Sequence, residues 1–461
     1  MLESIKRILI IGCGTAGTMA AIQARKNNRE AKIWIVSREK YPEYSLCGLP
    51  YVVSGIIKEA KSLIIHPIDF YEKTLRVNLM LNTEALSIDT SSKTVLVKNL
   101  ATGEEDRLEY DSLILATGAK PVSLPIKGVD KKGVFSIRTI EDIEALILHL
   151  KSVSSKLIVI VGAGLIGMEM AESLSLKDYK VLVLEMLPEI LPAMLDPDMG
   201  SIVHERAEEK GVRILTSTTL DEIIGDEKVE AVRIKAERIP TETVIIAARV
   251  KPETELAEKA KVSIGETGGI RVNEYLKTSV EGIYAAGDCI ETLDLASKRS
   301  FPIQLATTAA RQGMIAGINA AGGLRKYPGS TGVATTKLFG LEIATAGITS
   351  SLAAKLGIKV TSTRTTALNK AHYYPGAKPI TTKLIANLED KRIIGAQLIG
   401  EEGASLRANL VALAIKANIE LSELELLETC YAPPISPVWD PLSIAAQALG
   451  KRLSSISPLN S

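Results

Sequence analysis

One cysteine lies where its thiol could take part in chemistry. Cys47 stands in the middle of a turn-rich apolar stretch, residues 44–51 (YSLCGLPY), which follows a strand-like segment at residues 33–36. The thiolate of cysteine is a strong nucleophile, whereas free cysteine is also among the most buried residue types. The elements around Cys47 favour a reactive thiol, because two glycine-rich fingerprints occur elsewhere in the chain.

The first fingerprint is the motif GCGTAG at residues 12–17. It follows an apolar strand pattern at residues 8–11 and opens an alanine-rich helix that reaches about Lys26. In such a motif the first glycine permits a tight turn, the second lets a pyrophosphate approach the backbone, and the third lets the helix pack on the strand. The motif predicts a dinucleotide site at Gly12, Gly14, Thr15, Ala16 and Gly17.

The residue that would hold the adenosine ribose of this first nucleotide stays open. An acid is expected at the end of the second strand, about 20 residues past the motif. Ser37 occupies that place by count, and Glu39 follows two positions later. Glu39 takes the role if the strand end is slightly shifted.

The second fingerprint is complete. A strand at residues 157–161 leads into GAGLIG, with Gly162, Gly164 and Gly167, and the next strand, at residues 181–184, ends in Glu185. A carboxylate there binds the 2′-hydroxyl of the ribose and repels a 2′-phosphate, and no cation follows it in Met186, Leu187 or Pro188. The second site is therefore predicted to prefer NADH, with NADPH disfavoured.

The sequences that follow two later strands resemble each other. Residues 110–121 run through Ala116, Thr117 and Gly118 into Lys-Pro, and the strand at residues 244–248 leaves through Arg-Val-Lys-Pro. The chain thus holds two copies of one plan, one nested inside the other. The first copy resumes at residues 278–288, and a helix from about Ala306 follows. The terminal Asp288 of this segment could accept a hydrogen bond from a hydroxyl group of the first nucleotide.

The remainder of the chain carries no nucleotide motif. Past Arg325, strands are predicted at residues 332–339, 358–366, 380–387 and 393–398, with a helix at 406–417. The segment 430–441 contains four prolines, which impose an extended path. An extended, aromatic-bearing tail after a two-nucleotide module predicts an interface domain.

Composition limits the possible partners. The 461 residues suffice for about three domains. The net charge is +1, with scattered basic residues and no long apolar run, so neither nucleic acid nor a membrane is an expected partner. Four cysteines without a CxxC spacing argue against a disulfide framework or a metal site and fit a reducing cytoplasm. Small molecules are the predicted partners.

A family resemblance connects these features. In chain order, GCGTAG, SLCGLPY, YDSLILATG, GAGLIG with Glu185, GIYAAGD and YAPP resemble the single-cysteine branch of the pyridine nucleotide–disulfide oxidoreductases. That branch includes coenzyme A disulfide reductases, NADH-dependent polysulfide or persulfide reductases, and NADH oxidases. The resemblance implies an α/β fold with two nested Rossmann-like, doubly wound nucleotide-binding domains and a C-terminal α+β dimerisation domain. Its implied boundaries are FAD-binding residues 1–120 and 251–325, NAD(H)-binding residues 121–250, and dimerisation residues 326–461.

The resemblance also implies a site. FAD would bind at the first motif, Thr117, Gly118 and Asp288, and NADH at the second motif. Cys47 would pass electrons to a small disulfide, persulfide or polysulfide, its thiolate stabilised by a helix N-terminus near residues 48–50. Tyr431, and Tyr373 or Tyr374, would reach the partner subunit's cysteine in a homodimer whose active sites are completed across the interface.

Departures from the family pattern leave the electron acceptor open. Two-cysteine relatives carry a second thiol five positions after the first, where this chain has Val52, so no internal disulfide is expected. Thr15 replaces a histidine that is frequent in the NADH oxidases, and Leu46 and Ile435 replace an asparagine and a tyrosine usual in coenzyme A disulfide reductases. Reduction of O2 by an NADH oxidase is the alternative within enzymes. A reductase of an electron-carrier protein, or a redox-sensing flavoprotein, is the alternative of another class.

Overall fold

The apolar strand patterns at residues 8–11 and 157–161 form the centres of two parallel sheets in the computed structural model, which describes residues 6–122 and 124–456. The strands in chain order are β1 (Arg7–Ile11), β2 (Lys32–Val36), β3 (Val77–Met80), β4 (Thr83–Asp89), β5 (Thr94–Asn99), β6 (Glu105–Glu109), β7 (Ser112–Leu115), β8 (Ala119–Pro121), β9 (Val134–Ser136), β10 (Leu157–Val161), β11 (Lys180–Leu184), β12 (Val212–Leu215), β13 (Glu222–Ile224), β14 (Ala231–Ile234), β15 (Glu237–Pro240), β16 (Thr243–Ile246), β17 (Val250–Pro252), β18 (Ile283–Ala285), β19 (Thr292–Leu293), β20 (Ser300–Phe301), β21 (Ala334–Leu338), β22 (Leu341–Gly347), β23 (Val360–Leu368), β24 (Pro379–Asn387) and β25 (Ile393–Gly400). The helices are α1 (Thr15–Asn27), α2 (Leu49–Ser54), α3 (Ile140–Ser152), α4 (Leu165–Ser175), α5 (Pro197–Glu209), α6 (Glu255–Lys259), α7 (Ala306–Ala320), α8 (Ser350–Lys355), α9 (Ala404–Ala417), α10 (Leu421–Glu425) and α11 (Pro441–Ile456).

The first sheet is parallel and has the order β18-β7-β1-β2-β3. Its middle strands are buried on both faces, which is why their sequences read as continuous apolar runs. α1 packs against α7, where Gly313 and Gly317 allow close approach; a Cβ on either would lie 2.2 Å from a carbonyl oxygen of α1. Because β18 returns from far along the chain to pair with β7, the predicted nesting is confirmed.

The second sheet repeats the parallel plan with the order β12-β11-β10-β16-β9. α4 follows β10 as α1 follows β1, and β11 pairs with β10 in register, Val161 opposite Leu184. An antiparallel sheet, β13-β14-β15, accompanies it. The two nested Rossmann-like units expected from the sequence are therefore present.

The two chain crossings between these sheets run side by side. β8 and β17 pair antiparallel, with Pro121 opposite Val250 and Ala119 opposite Pro252. These are the two similar exits noted in the sequence. Lys120 forms ion pairs with Glu253 and Glu255, at 2.8 and 3.4 Å, and holds the ribbon together.

The third sheet is antiparallel and has the order β21-β22-β25-β24-β23. α9 packs against β22 and β25, whereas α11 packs against β23 and β24. The sequence analysis did not predict β22 or α11. β22 consists largely of alanine, glycine and threonine, which give little strand signal, and α11 begins directly after the proline-rich segment.

A buried ion pair ties α9 to the start of α11. The guanidinium of Arg407 donates to both carboxylate oxygens of Asp440, with N–O distances of 2.7 to 3.0 Å. The side chains are only 9% and 6% exposed. Asp440 also accepts a hydrogen bond from the Leu442 N–H, so it fixes the first turn of α11.

The helices can be compared with the requirements of a membrane-spanning segment. Across residues 6–122 and 124–456, no helix combines the length and the apolar character that crossing a bilayer requires.

Candidate functional site

Both glycine fingerprints and Cys47 face one cleft, whose volume is about 2360 Å³. The predicted site residues that line it are Gly12, Gly14, Thr15, Ala16, Glu39, Cys47, Thr117, Gly118, Gly162, Gly164, Glu185 and Asp288. The third glycine of each motif, Gly17 or Gly167, does not line the cleft formed by the described residues. The three predicted tyrosines do not line it either. Among the described residues, no group of three histidine, cysteine or carboxylate side chains lies close enough together to bind a metal ion.

The first motif forms a cradle before α1. Gly12 has a φ of +109°, and a Cβ there would lie 2.1 Å from the carbonyl oxygen of Ala116. A Cβ on Gly17 would lie 2.0 Å from the Gly12 carbonyl oxygen, so both positions exclude a side chain. A Cβ on Gly14 would meet nothing within 4 Å. The room at Gly14, beside the first N–H groups of α1, is what a bound pyrophosphate needs.

The second motif repeats this geometry before α4. A Cβ on Gly162 would lie 2.7 Å from the Ala247 carbonyl oxygen, and one on Gly167 would lie 1.9 Å from the Gly162 carbonyl oxygen. A Cβ on Gly164 again meets nothing within 4 Å. Two cradles of the same construction thus open into the same cleft.

Glu185 stands beside the second cradle. Its carboxylate accepts hydrogen bonds from the N–H of Ala163, at 2.8 Å, and from the N–H of Leu187, at 2.9 Å. The residue is 6% exposed, whereas Met186 and Leu187 are exposed and apolar. The backbone therefore holds a negative charge next to the glycine turn.

Both candidates for the first ribose face the cleft. Ser37 directly follows β2, and its Oγ accepts a hydrogen bond from the N–H of Glu39 at 3.3 Å. The hydroxyl of Tyr44 donates to the carboxylate of Glu39 at 3.2 Å. The geometry keeps both residues as candidates.

The turn after β7 and Asp288, three residues after β18, lie at the same edge of the first sheet. Thr117 donates through its hydroxyl to the carbonyl of Glu253 at 2.6 Å, and Gly118 has a φ of +76°. Asp288 lies nearby, where burial raises the pKa of its carboxyl group above the usual range. A half-buried carboxyl that faces a cleft is able to accept a hydrogen bond from a hydroxyl group.

Cys47 lies in a 3₁₀ turn, Leu46–Gly48, directly before α2. Its side chain is exposed to the cleft, yet burial, followed by the charges of Glu169 and Asp288, raises the pKa of the thiol. The expected stabilisation of a thiolate by the start of α2 is thus outweighed within the chain itself. Of the other cysteines, Cys13 and Cys289 are buried and serve packing.

Arg138 is a cation of the cleft that the sequence analysis missed. It lies between β9 and α3 and lines the cleft, and its charge opposes the rise in pKa of both Cys47 and Asp288. Among the described residues its guanidinium group has no hydrogen-bond or ion-pair partner. An unpaired cation in a cleft that also contains two glycine turns is suited to an anionic ligand. No signal in the sequence around Arg138 distinguishes it from other loop arginines.

Glu169 is the second residue of the cleft that sequence analysis missed. It projects from α4, and its carboxylate accepts a hydrogen bond from the Thr336 hydroxyl of β21 at 2.7 Å. One turn later, the carboxylate of Glu172 accepts from the N–H of Phe339 at 2.6 Å. Burial raises the pKa of both carboxyl groups. The helix of the second motif is therefore fastened to the third sheet.

Two of the three predicted tyrosines form a pair. The hydroxyl oxygens of Tyr373 and Tyr431 are 2.8 Å apart, and both rings are exposed, by 63% and 49%. Tyr374 is exposed as well, but its hydroxyl has no partner among the described residues. The pair lies on the surface of the unit that the third sheet forms with the helices packed on it, and it does not line the cleft of its own chain.

Comparisons with known proteins agree with this architecture. The sequence profile of the family described as pyridine nucleotide-disulphide oxidoreductase matches residues 6–313, and that of its dimerisation domain matches residues 333–441. A protein named NADH oxidase from Methanocaldococcus jannaschii is 40% identical over 450 residues, covering 97% of this chain and 100% of the relative.

Two further relatives are named for sulfur chemistry. A protein named NAD(P)H coenzyme A polysulfide/persulfide reductase, from Pyrococcus horikoshii, is 34% identical and covers 96% of this chain and 98% of its own. The solved structure of an NAD-dependent persulfide reductase from A. fulgidus has a TM-score of 0.94 and 36% identity, covering 98% of this chain and 84% of that one. The chain belongs to the pyridine nucleotide-disulphide oxidoreductase family and is an FAD-dependent NAD(P)H oxidoreductase.

Proposed function

We propose that this enzyme uses NADH to reduce a low-molecular-weight disulfide, persulfide or polysulfide through Cys47. The observation that carries the proposal is the position of this thiol, which faces the same cleft as both nucleotide cradles. Relatives named for polysulfide and persulfide reduction support the same chemistry.

Different residues of the chain would bind the cofactor and stabilise the Cys47 thiolate. The first cradle and Asp288 fit FAD, because Gly14 leaves the room that a pyrophosphate needs. Bound at these residues, FAD would supply the two-electron redox chemistry that links the nicotinamide nucleotide to the sulfur on Cys47. Arg138 is the cation that favours the Cys47 thiolate against burial and two carboxylates.

The sulfur chemistry needs only one cysteine. The Cys47 thiolate attacks one sulfur of a disulfide, the S–S bond breaks, and one thiolate leaves while a mixed disulfide forms on Cys47. Two electrons that come from NADH then reduce the S–S bond of this mixed disulfide, which releases the other thiolate and restores the Cys47 thiolate. Val52 occupies the position of a second thiol, and Cys13 and Cys289 are buried, so no other cysteine of this region competes.

Each departing thiolate needs a proton, and the tyrosine pair is the proposed source. Tyr373 and Tyr431 would act on the partner subunit's Cys47, since neither lines the cleft of its own chain. An exposed apolar row on α9, formed by Leu406, Leu410 and Leu413, supports a homodimer with a covered interface. We assign the role to Tyr373 rather than Tyr374, because the hydroxyl of Tyr373 is hydrogen-bonded to Tyr431.

The preference for NADH over NADPH rests on Glu185. Its buried carboxylate is held at the glycine turn by two backbone N–H groups, where a ribose hydroxyl fits and a 2′-phosphate would be repelled.

NADH oxidation by O2 is the second candidate. The relative from M. jannaschii carries the name NADH oxidase at 40% identity, which favours this activity. A reductase of an electron-carrier protein, or a redox-sensing flavoprotein, has less support, because neither role requires a cleft thiol or an exposed tyrosine pair.

The test is anaerobic reduction of the purified enzyme with NADH, followed by stopped-flow reoxidation with coenzyme A disulfide, polysulfide and O2 in parallel. Fastest reoxidation by a sulfur compound, lost in Cys47→Ser and kept in Cys430→Ser, supports the proposal; Cys430 is the other exposed thiol. Fast reoxidation by O2 alone would favour the NADH oxidase. Disulfide reduction that survives in Cys47→Ser would refute the mechanism.

A further inference from the structure

Asp196 is a buried carboxylate that serves a helix other than its own. It stands at the N-cap position of α5, where an aspartate ordinarily accepts hydrogen bonds from the first turn. Asp196 makes no such bond. Both of its carboxylate oxygens instead accept hydrogen bonds from α8 and the third sheet. The side chain therefore does not cap its own helix.

Those contacts are numerous and short. One oxygen of Asp196 accepts from the N–H and the hydroxyl of Ser351, each at 2.9 Å. The other accepts from the N–H of Ser350 at 3.1 Å, from the side-chain amide of Gln397 at 2.8 Å and from the ammonium group of Lys383 at 3.1 Å. Asp196 is 2% exposed, so these contacts form a buried connection between α5 and the unit built on the third sheet.

This connection contains two carboxylates, Asp196 and Asp198, and two cations, Lys383 and Arg364, of which the Arg364 guanidinium lies 3.9 Å from the carboxylate of Asp198. The Lys383 ammonium also binds the carboxylate of Asp198 at 2.6 Å. Burial alone would raise the pKa of Asp196, but the hydrogen bond from Ser351, the charge of Lys383 and the amide of Gln397 outweigh it and bring the pKa to about 2. The group is therefore an anion at neutral pH.

The segment that ends at Asp196 is part of the nucleotide cleft. Leu191, Pro192, Ala193 and Met194 line the cleft. At its other end this segment is tied to the second cradle, because the N–H of Leu191 donates to the carbonyl of Ala163 at 2.8 Å. Leu191 has a φ of +52°, an unfavourable conformation for a leucine, which persists only where the surroundings hold it in place.

We propose that Asp196 is a positioning residue for the nicotinamide nucleotide: by fastening the 191–195 segment to the third sheet's unit, it holds this wall of the cleft in the shape that binds the nucleotide. The proposal goes beyond the electron acceptor and does not depend on it. The coupling is reciprocal, so a nucleotide bound at the second cradle must also stabilise this connection.

The first test uses the wild-type, FAD-loaded enzyme and ADP-ribose, which lacks the reacting ring. Amide hydrogen exchange is followed with and without ADP-ribose at Ser350, Ser351 and Asp196. Slower exchange at these amides on binding is expected, although α8 provides no part of the glycine cradle. Unchanged exchange at these amides, while those of the cradle are protected, would overturn the proposal.

The second test compares two matched variants. Asp196→Asn keeps the shape of the side chain but removes its charge, and should weaken ADP-ribose binding in calorimetry and raise the Kd for NADH in the reductive half-reaction by about tenfold. The limiting rate of that half-reaction should stay close to wild type. Asp440→Asn is the control, because it breaks a buried ion pair that lies wholly within the α9–α11 region.

Equal losses of affinity in Asp196→Asn and Asp440→Asn would reduce the effect to lost stability and refute the positioning role. Should Asp196→Asn fail to fold, Ser351→Ala removes a single donor to the same oxygen and replaces it in the comparison. ADP-ribose affinity in Ser351→Ala equal to that of the wild type would count against the proposal.

Discussion

Complementation between two inactive variants tests whether the tyrosine pair acts across the subunit interface. The first variant is Cys47→Ser, which removes the nucleophile. The second replaces both tyrosines, Tyr373→Phe with Tyr431→Phe, because their hydroxyl oxygens are 2.8 Å apart and either could replace the other as a proton donor. Each homodimer should be poorly active. Loss of a general acid costs about 10²- to 10⁴-fold in rate.

The arrangement of the two sites fixes the activity of the mixed dimer. If the pair of one subunit serves the cysteine of the other, a heterodimer of the two variants has one complete site and one site that lacks both functions. Its activity should then be about half that of the wild type, because a two-fold dimer carries two equivalent sites. If the pair served its own chain, every site of the heterodimer would be defective.

The assay needs a pure heterodimer. Co-expression of the two variants with different affinity tags, followed by purification on both tags, provides it, and turnover with NADH and a small disulfide is then measured. Activity no higher than that of the two parent homodimers would refute the trans arrangement. Tyr374→Phe, combined with Tyr431→Phe in place of the Tyr373 change, should lose less activity, which separates the hydrogen-bonded tyrosine from its neighbour.

Three further outcomes follow from the buried charges. Glu169→Gln removes a negative charge that helps to raise the pKa of Cys47, so the pH profile of thiol alkylation should move to lower pH; an unchanged profile would show that the charge of Glu169 does not act on the thiol. Glu185→Ser should raise the ratio of kcat/KM for NADPH to that for NADH by about tenfold or more, since a like charge next to the 2′-phosphate is lost, and an unaltered ratio would contradict this reasoning. Asp440→Asn leaves the Arg407 guanidinium buried without its partner and should lower the free energy of unfolding by about 3–5 kcal/mol in denaturant titrations.

The two glycine turns before α1 and α4 could be predicted from the sequence because their geometry is local. Each is set by glycine spacing between one strand and one helix, so Gly14 and Gly164 were identified without knowledge of any distant contact. Glu185 belongs to the same group, since it ends the next strand in a unit of fixed length. Cys47 was identified by combining these motifs with its own turn-rich surroundings.

The remaining site residues depend on contacts that no local pattern encodes. Arg138 and Glu169 reach the cleft from positions about 90 and 120 residues beyond Cys47, and each is an ordinary charged residue in its own segment. Asp196 reads as a helix cap, and only the packing of α5 against the third sheet's unit reveals a different role. The choice of Tyr373 over Tyr374 likewise required the position of Tyr431.

The paired strands β8 and β17 have an evolutionary consequence. The chain enters and leaves the second sheet at one place, where Pro121 lies opposite Val250, so the intervening segment is a cassette with adjoining ends. A gene could exchange this cassette, which contains the second glycine motif and Glu185, without redesign of the half that carries Cys47. The exchange has one requirement: the incoming cassette must bring carboxylates equivalent to Glu169 and Asp196, which fit the third sheet and α8 it will meet. Exchange of the second glycine motif is therefore linked to the part of the chain that matches the dimerisation domain of the family.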